Sequence, residues 1–140
     1  MILTCRVKVR LITKDRVVEE VALVNSGFEA DSPDIVVPLS TAKELGLRPP
    51  KTSTIVSIET DGEITLPYYT SCCKLELVLP DRHSKVIDVN IIVNPHIDEI
   101  LISDYVSSEF SITLLELDLR RSLWRLSDDP PNIIRYSITK

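Results

Sequence analysis

Asn25-Ser26-Gly27 concentrates more chemistry in fewer residues than any other part of this chain. The amide offers one acceptor and two donors, the hydroxyl can do either, and the glycine lets another backbone come close. The apolar run Val21-Ala22-Leu23-Val24 leads into the triplet, and Ile35-Val36-Val37-Pro38-Leu39 follows it. Asn-Ser-Gly is also common turn chemistry, so its meaning depends on what surrounds it. Thr60-Asp61-Gly62 is a second polar punctuation, where Asp-Gly between alternating segments signals a tight hairpin. Glu29 and Asp31 can accept hydrogen bonds from a bound backbone, or stand as solvated loop charges. Cys5, Cys72 and Cys73 are too few for a disulfide framework, and they form no Cys-x-x-Cys pair. His83 and His96 stand alone, so no metal site is expected.

The elements that must position these groups are mostly strands. The chain holds 14 Val and 16 Ile against three Ala, and β-branched residues fit strands where Ala fits helices. From Ile2 to Ile12, Cys5, Val7, Val9 and Leu11 alternate with Arg6, Lys8 and Arg10, which predicts a half-buried strand. Thr13-Lys14-Asp15 turns the chain and Arg16 to Val24 returns as a hairpin partner. Ile35-Val36-Val37 is a short apolar strand, followed by a helix over Ser40 to Leu47 with Ser40 as N-cap and Gly46 just past its end. Thr52 to Glu59 and Glu63 to Leu79 form the Asp61-Gly62 hairpin, and Pro67 marks an edge or a bulge in its second arm. Pro80-Asp81-Arg82-His83 is a turn, and Val86 to Val93 a strand with Val89, Ile91 and Val93 inward. Ile100-Leu101-Ile102 is a buried strand and Ser103 to Phe110 a short helix capped by Ser103 or Asp104. Ile112 to Leu117, Ser122 to Leu126 and Ile133 to Ile138 complete the strands, and Asp128-Asp129-Pro130-Pro131 reads as a solvated linker. Trp124 reads as core or as dimer surface. Together these describe a closed, mostly antiparallel β-barrel with one or two short helices.

Length and charge narrow the functions. The 140 residues fit one domain, 1–140. A net charge of −5 argues against wrapping nucleic-acid backbones, whose binding draws on Lys and Arg clusters. No apolar run nears the roughly 20 residues of a membrane-spanning helix. Met1 to Ile12 carries Arg6, Lys8 and Arg10 and does not read as a secretory signal, so a cytoplasmic location with reduced cysteines is expected.

The order of these features resembles the retropepsin-like aspartic proteases. That family places a hydrophobic-hydrophobic-Asp-Thr/Ser-Gly loop before a strand and helix, as 21–27, 35–39 and 41–47 do here. The Asp61-Gly62 hairpin stands where the family carries its flap, and Ile100-Leu101-Ile102-Ser103 resembles its hydrophobic-hydrophobic-Gly segment. The resemblance covers Met1 to Leu117, leaving 118–140 as a C-terminal extension.

The resemblance implies a homodimer in which two such loops face each other over a peptide or protein substrate. Two carboxylates then share one proton, one activating water and the other acting as acid, without metal or cofactor. The implied roles are catalytic for residues 25–27 and substrate-binding for Phe28, Glu29, Thr60, Asp61 and Gly62. Two departures bear on this. Asn25 stands at the family's catalytic Asp, and Ser103 at its Gly. An amide cannot act as base near neutral pH. The chain as written is therefore expected to be an inactive member of that fold that does not cleave peptides; the alternative reading is a non-catalytic peptide-binding or interaction module on the same fold. Asp→Asn keeps shape and removes charge, so both an engineered substitution and a natural loss stay open; the retained Ser26 and Gly27 weigh toward the first. The family's chain termini interleave between subunits, a role that falls here to Met1 to Ile12 and Ile133 to Ile138, with Ile134, Tyr136 and Ile138 on one face.

Overall fold

A computed structural model describes residues 4–48, 52–58, 62–118 and 121–138. Alternation builds the first hairpin. β1 (Thr4–Ile12) buries Cys5, Val7, Val9 and Leu11 and leaves the residues between them toward solvent. It pairs antiparallel with β2 (Val17–Asn25), setting Thr4 opposite Asn25 at one end and Ile12 opposite Val17 at the other. Fully burying a side chain such as Leu11 stabilises the fold by roughly 1.5–3 kcal/mol.

The remaining elements are β3 (Asp34–Val37), α1 (Leu39–Glu44), β4 (Thr52–Ile58), β5 (Gly62–Leu77), β6 (Val86–Val93), β7 (Ile100–Ile102), α2 (Asp104–Glu109), β8 (Ile112–Asp118), β9 (Arg121–Leu126) and β10 (Arg135–Tyr136). The large sheet runs β1-β2-β7-β3-β6-β5-β4, and β5 also pairs with β1. Six strands therefore close a barrel, with β4 attached outside the closure as the first arm of its hairpin with β5. Most pairings are antiparallel; β2–β7 and β3–β6 are parallel. A second sheet, β10-β9-β8, packs its Trp124 and Leu126 into the same core as Val9, Ile35 and Ile91.

Several local expectations are corrected. The first helix begins at Leu39, one residue earlier than expected, and Pro38 rather than Ser40 is its N-cap, without a side-chain hydrogen bond. Proline's fixed φ presets that entry to the helix. Gly46 ends the segment at φ +70, and Arg16 Nη1 donates to the Glu44 carbonyl 3.2 Å away. Gly46→Ala is expected to lower stability by about 1 kcal/mol, because an added Cβ meets Arg16 only at ordinary contact distance and the conformational strain alone remains. A urea midpoint that does not move would refute this.

β5 does carry a bulge, one of the two expected alternatives for this arm, and it lies between Tyr69 and Cys73, while Pro67 pairs with Ser53. Ser71 at the bulge adopts φ 50, and its amide donates to Asn90 Oδ1 at 2.9 Å. The expected strand over Ile133 to Ile138 shrinks to Arg135–Tyr136. The solvated linker is overturned most clearly. Asp129 is buried, with its carboxylate on Arg135 Nη2 at 2.8 Å and on the Leu126 amide at 2.9 Å.

Candidate functional site

Residues 25–27 follow directly from the end of β2, where alternation has placed Ala22 and Val24 in the core. Asn25 therefore shares the opposite face with Leu23. Register extends that face across the barrel. Leu23 neighbours Leu101 on β7, Leu101 neighbours Val36 on β3, Val36 neighbours Ile92 on β6, and Ile92 neighbours Tyr68 on β5. These strands carry apolar residues on both faces, which is why they read as continuous apolar runs. The second face is a small apolar cluster: Val36, Leu66 and Ile92 are buried, with Phe28, Ile64, Tyr68, Ile97 and Leu101 packed partly exposed around them. The hairpin arm of β5 supplies Ile64, Leu66 and Tyr68 to it.

The insertion of β7 between β2 and β3 brings the two chain segments of the site together. After β7, Ser103 caps α2 by accepting from the Val106 amide at 3.4 Å. Its backbone is at φ −70, ψ 162, an extended conformation that needs no glycine, so the Ser-for-Gly departure carries no backbone strain. Asp104, the alternative cap, does different work. Its amide donates to the Phe28 carbonyl at 2.8 Å, and its Oδ1 accepts from the Ala30 amide at 2.9 Å. This double clamp fixes the loop after the triplet. At the far end of the apolar face, Asp34 Oδ1 accepts from Ser32 Oγ, Tyr68 Oη and Asn90 Nδ2 at 2.9, 2.9 and 3.0 Å. Burial is the main cause of a raised Tyr68 pKa, so the phenol stays protonated and keeps donating.

The triplet itself forms a tight turn. The Phe28 amide donates to the Asn25 carbonyl at 3.0 Å, and the Gly27 amide donates to Asn25 Oδ1 at 2.8 Å. Asn25 is half-buried, while Ser26 and Gly27 are exposed. Phe28 is half-buried against the apolar cluster and Glu29 is exposed. Gly62 pairs with Ile58 at the hairpin end, and Thr60 and Asp61 lie outside the described residues. The sequence did not single out Asp104 as a clamp, nor the Asp34, Tyr68 and Asn90 knot.

Elsewhere, Cys5 and Cys73 are buried and unpaired, and burial pushes their thiols up to about 11 and about 12. Among the described residues no three His, Cys, Asp or Glu gather to hold a metal ion, and no helix is long and apolar enough to cross a membrane. No protein-family model matches the chain, and no curated protein matches its sequence.

Proposed function

We propose that this chain has a retropepsin-like fold, that two copies face each other at residues 25–27, and that the pair holds an extended peptide without hydrolysing it. The observation that most supports this reading is the position of β7. It lies parallel to β2 and antiparallel to β3, so residues 100–103 pack beside the strand that ends in Asn25. The β4–β5 hairpin adds an arm over the same apolar face. One copy supplies one such loop and half of a cleft, so the reading requires a dimer.

Chemistry sets the limit on what the pair does. The Asn25 oxygen is already committed to Gly27, and an amide takes no proton from water near neutral pH. The site keeps the means to bind a peptide backbone and lacks a general base at the position where the family has one. Binding without cleavage is thus the function this reading assigns, on a scaffold built for an aspartic endopeptidase. The C-terminal segment meets its own chain. Ser137 Oγ accepts from the Arg6 amide at 2.8 Å, and the Ile138 amide donates to the Arg6 carbonyl at 2.9 Å. Ile134, Tyr136 and Ile138 stay exposed at the surface, where this reading places a subunit contact. Three unpaired cysteines fit a reducing compartment, and a cytoplasmic location belongs to the same reading.

The test is Asn25→Asp, assayed for cleavage of apolar peptides from acid to neutral pH, with sedimentation of both proteins. Cleavage blocked by a transition-state mimic of peptide hydrolysis supports the scaffold reading. Sedimentation as monomer only, at concentrations where peptide is bound, overturns the shared cleft.

A further inference from the structure

The orientation of one amide names what the paired loops hold, an inference that rests on the dimeric reading above. A backbone N–H can only donate, so the Asn25 atom 2.8 Å from the Gly27 nitrogen is the oxygen. The amide nitrogen is turned the other way. No described residue accepts from it. In a pair, residue 25 therefore presents donors from both subunits, where an aspartate pair would present acceptors and negative charge.

We propose that this site binds the C-terminal carboxylate of a peptide, with the peptide's last side chains on the apolar face of Leu23, Leu101 and Phe28. Two donor groups facing one another in the proposed pair have only water to accept from them, and a carboxylate oxygen pair can accept from both. An aspartate dyad repels the same group, because at least one of its carboxylates is ionised. The change from Asp to Asn thus reverses the preference of the site. It turns a place from which an acidic cleavage product departs into one where a peptide acid is held. The nearby acids do not cancel this. Asp104 Oδ1 already accepts from Ala30, and Glu29 and Asp31 are exposed, where solvent and salt screen their charge.

The experiment titrates the 140-residue chain, at neutral pH, with N-acetyl-Val-Leu-Phe carrying a free C-terminal carboxylate and with its C-terminal amide. Calorimetry reads binding and sedimentation reads assembly. Charge-assisted hydrogen bonds are about twice as strong as neutral ones, so the acid is expected to bind roughly 10–100-fold more tightly than the amide. Asn25→Asp is expected to invert that order, and Asn25→Ala to abolish it. A dimer that binds both peptides equally, or neither, overturns the carboxylate preference and leaves the shared cleft standing. A preference that survives Asn25→Asp also overturns it, since the selecting group then lies elsewhere. A monomer that binds neither peptide overturns the dimeric reading and this inference together.

Discussion

Asp129→Ala is expected to lower the free energy of unfolding by roughly 3–5 kcal/mol, the usual penalty for breaking a buried ion pair from one side. Asp129 has a fully buried side chain. Its Oδ2 accepts from Arg135 Nε and from the Leu126 amide, each at 2.9 Å, and its Oδ1 accepts from Arg135 Nη2 at 2.8 Å. Arg82 Nη1 adds a longer contact at 3.3 Å. Arg135 also forks onto Asp81 at 2.7 and 3.0 Å and lies 5.5 Å from the centre of the Trp124 ring. Removing the carboxylate strands a buried guanidinium with one partner and orphans the Leu126 amide. The three-stranded sheet keeps its ties to the barrel loop through Arg135–Asp81 and Arg82–Asp128 but loses the carboxylate that holds the two together.

Acid provides an independent check. Arg135 is the main cause that holds the Asp129 carboxyl down to about 2. In the unfolded chain the same group titrates near about 4. Its contribution is therefore complete above about pH 4 and is lost as pH falls toward about 2. Asp81 and Asp128 are lowered in the same direction by Arg135 and Arg82. The unmodified chain should lose stability steeply across that window, and Asp129→Ala should show a shallower slope. Equal urea midpoints for the two proteins at neutral pH would sink the prediction.

This network also marks where sequence reading stops. Asp128-Asp129-Pro130-Pro131 has the composition of an exposed connector, and its meaning comes from Asp81 and Arg82, more than 40 residues upstream. No local pattern encodes such a pairing. The same holds for Asp34, whose donors Tyr68 and Asn90 lie 34 and 56 residues away. Alternation, by contrast, is local. Cys5, Val7, Val9 and Leu11 announce their own face, and Thr4–Ile12 is a strand with that face buried. The triplet and Ile100–Ile102 were legible as separate segments; their adjacency through β7 follows from a crossover that only the sheet order shows. The continuous run Ile35-Val36-Val37 did signal burial, and the structure adds that Val36 belongs to the face bearing Asn25. Of the two capping candidates Ser103 takes the role, one residue earlier, which frees the Asp104 carboxylate to clamp Ala30.

Asn25→Asp is expected to produce the largest functional change, a gain in peptide hydrolysis of at least about 10²–10⁴-fold, the contribution of a positioned general base. The backbone already suits the acid. Gly27 N–H, now 2.8 Å from the amide oxygen, would donate to a carboxylate oxygen in the same place and favour its ionised form. In the proposed dimer the facing carboxylate would act in the opposite sense, since two like charges at short range cannot both ionise easily. The pair then titrates in two steps, with one apparent value below and one above that of an ordinary aspartate. Below the lower step both groups are protonated and no base remains. Above the upper step both are ionised, no acid remains, and their repulsion weakens the dimer. The rate should therefore form a bell with its maximum in acid, and dissociation should rise toward neutral pH. Ser103 does not limit the gain, because its φ of −70 is open to serine and glycine alike. A kcat/KM profile measured with an internally quenched apolar peptide reads the curve. A folded dimer with no turnover at any pH would show that the loops meet in a geometry that binds without aligning water. A rate that climbs steadily past neutral pH would assign the turnover to chemistry other than a carboxylate pair.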